Sequence, residues 1–79
     1  MEIKDISKRY ELRSLNKTIM VNGSIFEDKP RTLTAKFKHH EIINHNTKSK
    51  DKMAEFPINR PNKSKLDRKI MRYLYSQYK

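Results

Sequence analysis

Residues 64–79 read SKLDRKIMRYLYSQYK, and neither Gly nor Pro interrupts this stretch. Ser64, followed three positions later by Asp67, is typical of a helix start, with Ser64 as the N-cap and the carboxylate near the positive end of the helix dipole. At about 100° per residue, the apolar side chains fall on one side of a helical wheel. These are Leu66, Ile70, Tyr73 and Leu74, with Met71 and Tyr78 on one flank. The pattern predicts a C-terminal amphipathic helix.

The opposite side of this predicted helix carries only positive charge. Its members lie within an arc of about 100° and are Lys65, Arg68, Lys69, Arg72 and Lys79. A solvated surface helix is the simpler interpretation, but such helices usually mix both signs of charge and gain favourable pairs four positions apart. Here Lys65–Lys69 and Arg68–Arg72 repel instead. Phosphates or carboxylates of a ligand would relieve that repulsion, so we expect this side to be a binding surface.

The middle of the chain indicates strands. Residues 32–38, TLTAKFK, alternate between apolar and polar side chains, as one half-buried strand does. Asn22-Gly23 predicts either a hairpin turn between two short strands or one strand with a bulge at the glycine. Residues 28–31, DKPR, indicate a second turn. Residues 53–58 predict a third strand, and the proline inside it favours a sheet edge.

The remaining segments carry weaker signals. The spacing of Ile3, Ile6 and Tyr10 favours a short helix through about residue 14, although Tyr10 and Leu12 also alternate like a strand. Residues 44–52 contain no apolar side chain and predict a solvated loop. We therefore expect residues 1–79 to form a single small α+β domain. In it, a small antiparallel sheet of about three strands is packed by the C-terminal helix, with a short N-terminal helix before it.

Composition excludes several classes of protein. The 79 residues include 19 Lys and Arg against 9 Asp and Glu, for a net charge of +10, with one Gly and no Cys. This excludes a disulfide scaffold, a cysteine metal cluster, a thiol enzyme and a Gly-rich phosphate loop. No apolar run approaches a membrane span, so the default expectation is a cytoplasmic protein without a membrane partner. A core this small would gain stability from a homodimer or a bound ligand.

Residue usage also indicates an origin. Lys outnumbers Arg 13 to 6, and Asn and Ile are abundant. Because these residues have AT-rich codons, we expect an AT-rich bacterial genome, or a phage or mobile element that resides in one.

Three histidines raise the question of catalysis. His39 and His40 are adjacent and would point to opposite faces of a strand, so a zinc site with His45 would require the chain to bend back. General acid–base cleavage of RNA would need a histidine beside a phosphate-binding cation, and Lys38 precedes His39. Many small basic proteins share that composition without activity, so we predict a non-enzymatic protein without metal or cofactor.

The predicted function is electrostatic binding of nucleic acid, DNA or RNA, through the C-terminal helix. The alternative is a protein-interaction module, such as a phage-type inhibitor, that docks its basic face on an acidic host protein. The residues predicted to contact phosphates are Arg60, Lys63, Lys65, Arg68, Lys69, Arg72, Lys48, Lys50 and Lys52.

The predicted order of helix, strands and helix resembles that of double-stranded RNA-binding domains. Those domains place lysines at the start of their last helix, where Lys63, Lys65 and Lys69 lie in this sequence. The Gly-Pro-His loop of that family is absent here, as is the alanine-rich packing face of its final helix. The same order occurs in small ribonuclease toxins of the HicA type, whose Gly-Ser-His signature is also missing. The resemblance is one of arrangement, and arrangement alone does not assign a function.

Overall fold

The computed structural model describes residues 1–29, 32–44, 46–47, 49–58 and 63–79. They form one antiparallel sheet and one C-terminal helix. The strands are β1 (Glu2–Asp5), β2 (Lys8–Leu12), β3 (Lys17–Lys29), β4 (Thr32–Ile43), β5 (Asn46–Thr47) and β6 (Lys52–Ile58). A single 3₁₀ turn covers Arg13–Leu15, and the helix α1 covers Lys63–Tyr78. The α+β class is confirmed, whereas the expected sheet of about three strands is wrong because the described residues contain six.

Two long strands form the centre of the sheet. β3 has 13 residues and β4 has 12, and they pair from Thr18 opposite Ile42 to Glu27 opposite Leu33 without interruption. β1 and β2 share the outer edge of β3, and β6 and β5 share the outer edge of β4. The short strands at each edge therefore extend the central hairpin on both sides.

Gly23 lies inside β3, so the predicted turn or bulge at Asn22-Gly23 is wrong. The register shift of this strand occurs later, between Glu27 and Lys29. Gly23 pairs with Phe37, and a Cβ built on Gly23 would overlap the backbone of Lys36 and Phe37. The absence of a side chain thus permits close approach of two strands. Of the turn predicted at 28–31, Lys29 belongs to β3, whereas Pro30 and Arg31 lie outside the described residues.

The N-terminal segment is extended, and the predicted short helix is wrong. β1 and β2 satisfy the backbone groups along the edge of β3, which a helix would leave unpaired. Tyr10 and Leu12 are buried on the same side of β2, as the weaker alternating pattern indicated. The helix–strands–helix order shared with double-stranded RNA-binding domains is therefore also absent, because strands occupy the N-terminal positions.

Two further boundaries differ from the prediction. The expected loop at 44–52 contains β5 and, at its end, the first residue of β6. The third predicted strand is confirmed as β6, an edge strand in which Pro57 pairs with Thr34. Helix α1 begins at Lys63, so Ser64 lies within its first turn rather than before it.

Helix α1 packs on one side of the sheet, here called the covered face. The helix contributes Leu66, Ile70, Leu74 and Tyr78 to the core. Alternate residues of the central strands meet them, and these are Ile19, Val21, Ile25, Leu33, Ala35, Phe37 and His39. The other side, here called the open face, carries no helix in the described part of the chain. It displays Arg9, Glu11, Thr18, Met20, Asn22, Lys36, Lys38, His40, Ile42, Met53 and Glu55.

Candidate nucleic-acid interface

The side of α1 that points away from the sheet is cationic, and it is here called the outward face. Lys65, Arg68, Lys69 and Arg72 are exposed on the helix, and Lys79 is exposed directly after it. Leu66, Ile70 and Leu74 are at most 6% exposed on the opposite side. The helical period therefore separates an apolar stripe from a cationic one, as the sequence predicted.

Asp67 is the one acidic residue in the sequence of α1, and it does not neutralise the outward face. Its carboxylate accepts hydrogen bonds from the Lys8 ammonium at 3.1 Å and from the Tyr10 hydroxyl at 2.9 Å. Burial, together with the bond to Asp67, raises the pKa of Tyr10 well above its usual range. The carboxylate is thus turned towards β2, which leaves the outward face with cations only.

Arg68 and Arg72 are the residues of this face that are open to a ligand. Neither guanidinium makes a hydrogen bond or an ion pair with any residue that the structure describes. The two residues lie one helical turn apart, about 6 Å along the axis, so their charges reinforce each other. An arginine side chain presents a planar fork of donors that matches the oxygens of a phosphate.

Lys69 belongs to the predicted site but has a second task. Its ammonium donates to the Pro57 carbonyl at 2.9 Å and lies 5.0 Å from the ring centre of Phe56. Both contacts tie α1 to the edge strand β6. Lys69 therefore anchors the helix, and its charge is less available than the charges of Arg68 and Arg72.

The other predicted contacts are only partly described. Lys50 is exposed between β5 and β6, and the Lys52 ammonium lies 5.1 Å from the ring centre of Tyr78. The structure thus brings Lys52 to the C-terminal end of α1. At this end the Lys17 ammonium donates a hydrogen bond to the Tyr78 carbonyl at 2.8 Å. A cation in this position interacts favourably with the negative end of the helix dipole.

Three predicted residues lie wholly or partly outside the described set. Arg60 and Lys48 are not among the described residues, and Lys63 is described only as the first residue of α1. Their part in the site stays a prediction.

His39 is buried between the sheet and α1, and it holds the last turns of the helix. Its Nδ1 lies 2.9 Å from the Tyr78 hydroxyl and its Nε2 lies 3.0 Å from the Tyr73 hydroxyl. Burial lowers the pKa of His39, and the charge of Lys52 lowers it further, with Asp51 acting in the opposite direction. The neutral ring donates to one tyrosine and accepts from the other. The sequence alternation of β4, continued two residues past Phe37, would have placed His39 on the covered face.

The two described histidines lie on opposite faces of the sheet. His40 lies on the open face, with its Nδ1 2.8 Å from an Asp51 oxygen, and His45 lies outside the described residues. Among the residues described, no group of three or more His, Asp or Glu side chains could hold a metal ion.

No protein-family model, curated protein or solved structure matches this chain. In the part of the chain that the structure describes, no helix has the length and apolar character that a membrane crossing requires. The function of the protein is therefore inferred from the chemistry of its surfaces.

Proposed function

We propose that this protein is a small, basic, non-enzymatic nucleic-acid-binding protein that contacts phosphates through the outward face of α1. The observation that carries the proposal is the orientation of Asp67. Its carboxylate binds Lys8 and Tyr10, and Arg68 and Arg72 form no ion pair with an acidic side chain among the described residues.

Electrostatics makes phosphate the favoured ligand of such a face. Each cation that neutralises a phosphate releases condensed counterions, and that release favours binding. A row of like charges on one rigid helix presents several cations to the same backbone without reorganisation. Contacts of this kind position a protein on nucleic acid but carry no base information, so we expect little sequence preference.

The test is the salt dependence of binding to labelled random-sequence DNA and RNA, each in duplex and single-stranded form. The logarithm of the affinity should fall linearly with the logarithm of salt concentration between about 50 and 200 mM. The double variant Arg68→Gln with Arg72→Gln should reduce the magnitude of the slope of log affinity against log salt concentration by about 2, because two phosphate contacts are lost.

The matched control removes the same charge from the sheet. Lys29→Gln with Lys38→Gln replaces two exposed lysines of β3 and β4 and should leave the slope close to that of the unmodified protein. Equal losses for the two double variants would mean that only net charge matters, and the outward face would then not be the site.

An acidic protein partner would use the same residues, and the test separates it from nucleic acid. If none of the four nucleic acids binds at about 150 mM salt, the nucleic-acid proposal is wrong. An acidic protein captured from nuclease-treated lysate by the unmodified chain, and lost with Arg68→Gln and Arg72→Gln, would then support the interaction module.

A further inference from the structure

A shallow cavity on the open face lies on the side of the sheet away from α1. It has a volume of about 250 Å³ and is lined by Arg9, Thr18, Ile42 and Asn44. We propose that this cavity binds a small oxyanion, the phosphate or carboxylate group of a ligand. Because it lies across the sheet from the outward face, the proposal does not depend on nucleic-acid binding by α1.

Three neighbouring strands and one turn form the walls of the cavity. Thr18 of β3 lies directly opposite Ile42 of β4, and Arg9 of β2 pairs with the residue two positions after Thr18. Asn44 follows β4 and has a backbone φ of 51°, a left-handed conformation that asparagine tolerates better than most residues. That turn places Asn44 at the rim. The walls are thus set by strand pairing rather than by long side chains alone.

The described residues of the lining are rich in hydrogen-bond donors and include no acid. Arg9 supplies a guanidinium fork, Thr18 a hydroxyl and Asn44 an amide NH₂. None of these side-chain groups makes a hydrogen bond or an ion pair with the residues that the structure describes. Ile42 adds an apolar wall against which a carbon skeleton can pack. A charged fork, two neutral donors and one apolar side chain are the elements of an oxyanion site.

A neighbouring cavity differs from the first because its lining includes an acidic side chain. It has about 270 Å³ and is lined by Glu11, Leu12, Arg13, Asn16, Lys17 and Thr18. The Glu11 carboxylate repels anions, and the Lys17 ammonium already donates to the Tyr78 carbonyl. Among the described lining residues of the two cavities, the one acid is Glu11, so the cavity at Arg9 is the one that offers a cation without an acid.

The size of the cavity limits what it can hold. Pockets for drug-sized ligands measure about 300–1,000 Å³, so 250 Å³ suits a small ion or one end group of a larger molecule. Inorganic phosphate and acetate are therefore suitable probes for the two oxyanion chemistries.

The experiment follows backbone amide chemical shifts by NMR while phosphate or acetate replaces chloride at constant ionic strength. We expect saturable shifts at Arg9, Thr18, Ile42 and Asn44 with at least one probe. Arg9→Gln should weaken the binding about tenfold, since one charge-assisted contact is lost. Arg13→Gln, which removes an arginine from the neighbouring cavity, is the matched control and should leave the affinity unchanged.

Each outcome decides the proposal. Saturation with phosphate alone or acetate alone assigns the oxyanion, and saturation with both assigns a general oxyanion site. Shifts that do not saturate, shifts confined to Arg68 and Arg72, or equal effects of the two variants would overturn it.

Discussion

The two sides of this thin molecule carry their charges differently. On the open face, acids alternate with cations, as Arg9 does with Glu11 on β2 and Lys36 with its cross-strand neighbour Glu55. On the outward face of α1, the one acid has been turned inwards to β2. A surface of mixed signs has little net attraction for a long polyanion, although a local cavity such as the one at Arg9 can still bind a small anion, whereas a surface of one sign attracts an oppositely charged partner. The difference favours the outward face of α1 as the proposed contact with nucleic acid, although both sides are basic in composition.

The largest expected effect tests the unequal packing behind these two sides. Ile70→Ala removes a fully buried side chain between α1 and the sheet and should lower the free energy of unfolding by about 2–5 kcal/mol. Met20→Ala, which truncates a partly buried residue of the open face, should cost less than about half as much. Urea unfolding monitored by circular dichroism gives both values. Equal costs would mean that the open face is packed as tightly as the covered one.

The next effect concerns the orientation of Asp67. Asp67→Asn should destabilise the protein by about 1–3 kcal/mol, because charge-assisted bonds to Lys8 and Tyr10 are weakened. Tyr10→Phe should cost less, and the double variant should cost less than the sum, as expected for coupled partners. If the two effects are additive, the contact that turns Asp67 away from the outward face is absent in solution.

The pH dependence of stability distinguishes the two faces of the sheet, because His39 lies on the covered face and His40 on the open face. Burial holds the pKa of His39 below its ordinary value of 6.5, so the unfolded chain binds the proton more readily than the folded one. Its contribution to stability is therefore complete above about pH 6.5 and is lost as the pH falls below that value. Melting temperatures measured between about pH 5 and 8 should show this loss.

Replacement of the two histidines separates the faces. His39→Asn should flatten the melting profile between about pH 5 and 6.5, whereas His40→Asn on the open face should keep the acid loss. If the profile flattens only with His40→Asn, the loss of stability in acid arises from the open face and not from His39, which contradicts the prediction.

The smallest effect separates two cations of the same helix. Lys69→Gln should lower the free energy of unfolding by about 0.5–1 kcal/mol, because the ammonium bound to the Pro57 carbonyl is lost. Arg72→Gln should leave stability within about 0.5 kcal/mol and weaken nucleic-acid binding more than Lys69→Gln does. Parallel unfolding and binding measurements compare the two. The reverse ranking would make Lys69 the ligand contact and Arg72 the anchor.

Local periodicity accounts for what the sequence predicted correctly. The helix, its two sides and the strand at 32–38 follow from the spacing of apolar residues within one segment. The prediction of an N-terminal helix was wrong because it rested on the helical spacing of only three apolar residues. Backbone hydrogen bonding to the otherwise unpaired edge of β3 favours strands there instead. The turn or bulge predicted at Asn22-Gly23 was wrong because glycine also occurs where two strands approach closely, as Gly23 does here.

Long-range contacts account for what the sequence could not predict. Asp67 and its partners are 59 and 57 residues apart, and no local pattern links them. The cavity at Arg9 likewise requires three strands in register. The burial of His39 could have been predicted from the sequence, because the alternation of buried residues in β4 continues through it.

The most direct test of the outward face is NMR shift mapping with a short random-sequence duplex at physiological salt. We predict that the backbone amides of Arg68 and Arg72, and those of their exposed neighbours on α1, shift with increasing duplex. The amides of Lys38 and Glu55 on the open face should stay in place. Shifts concentrated on the open face, or no shifts at all, would contradict the assignment of α1 as the nucleic-acid interface.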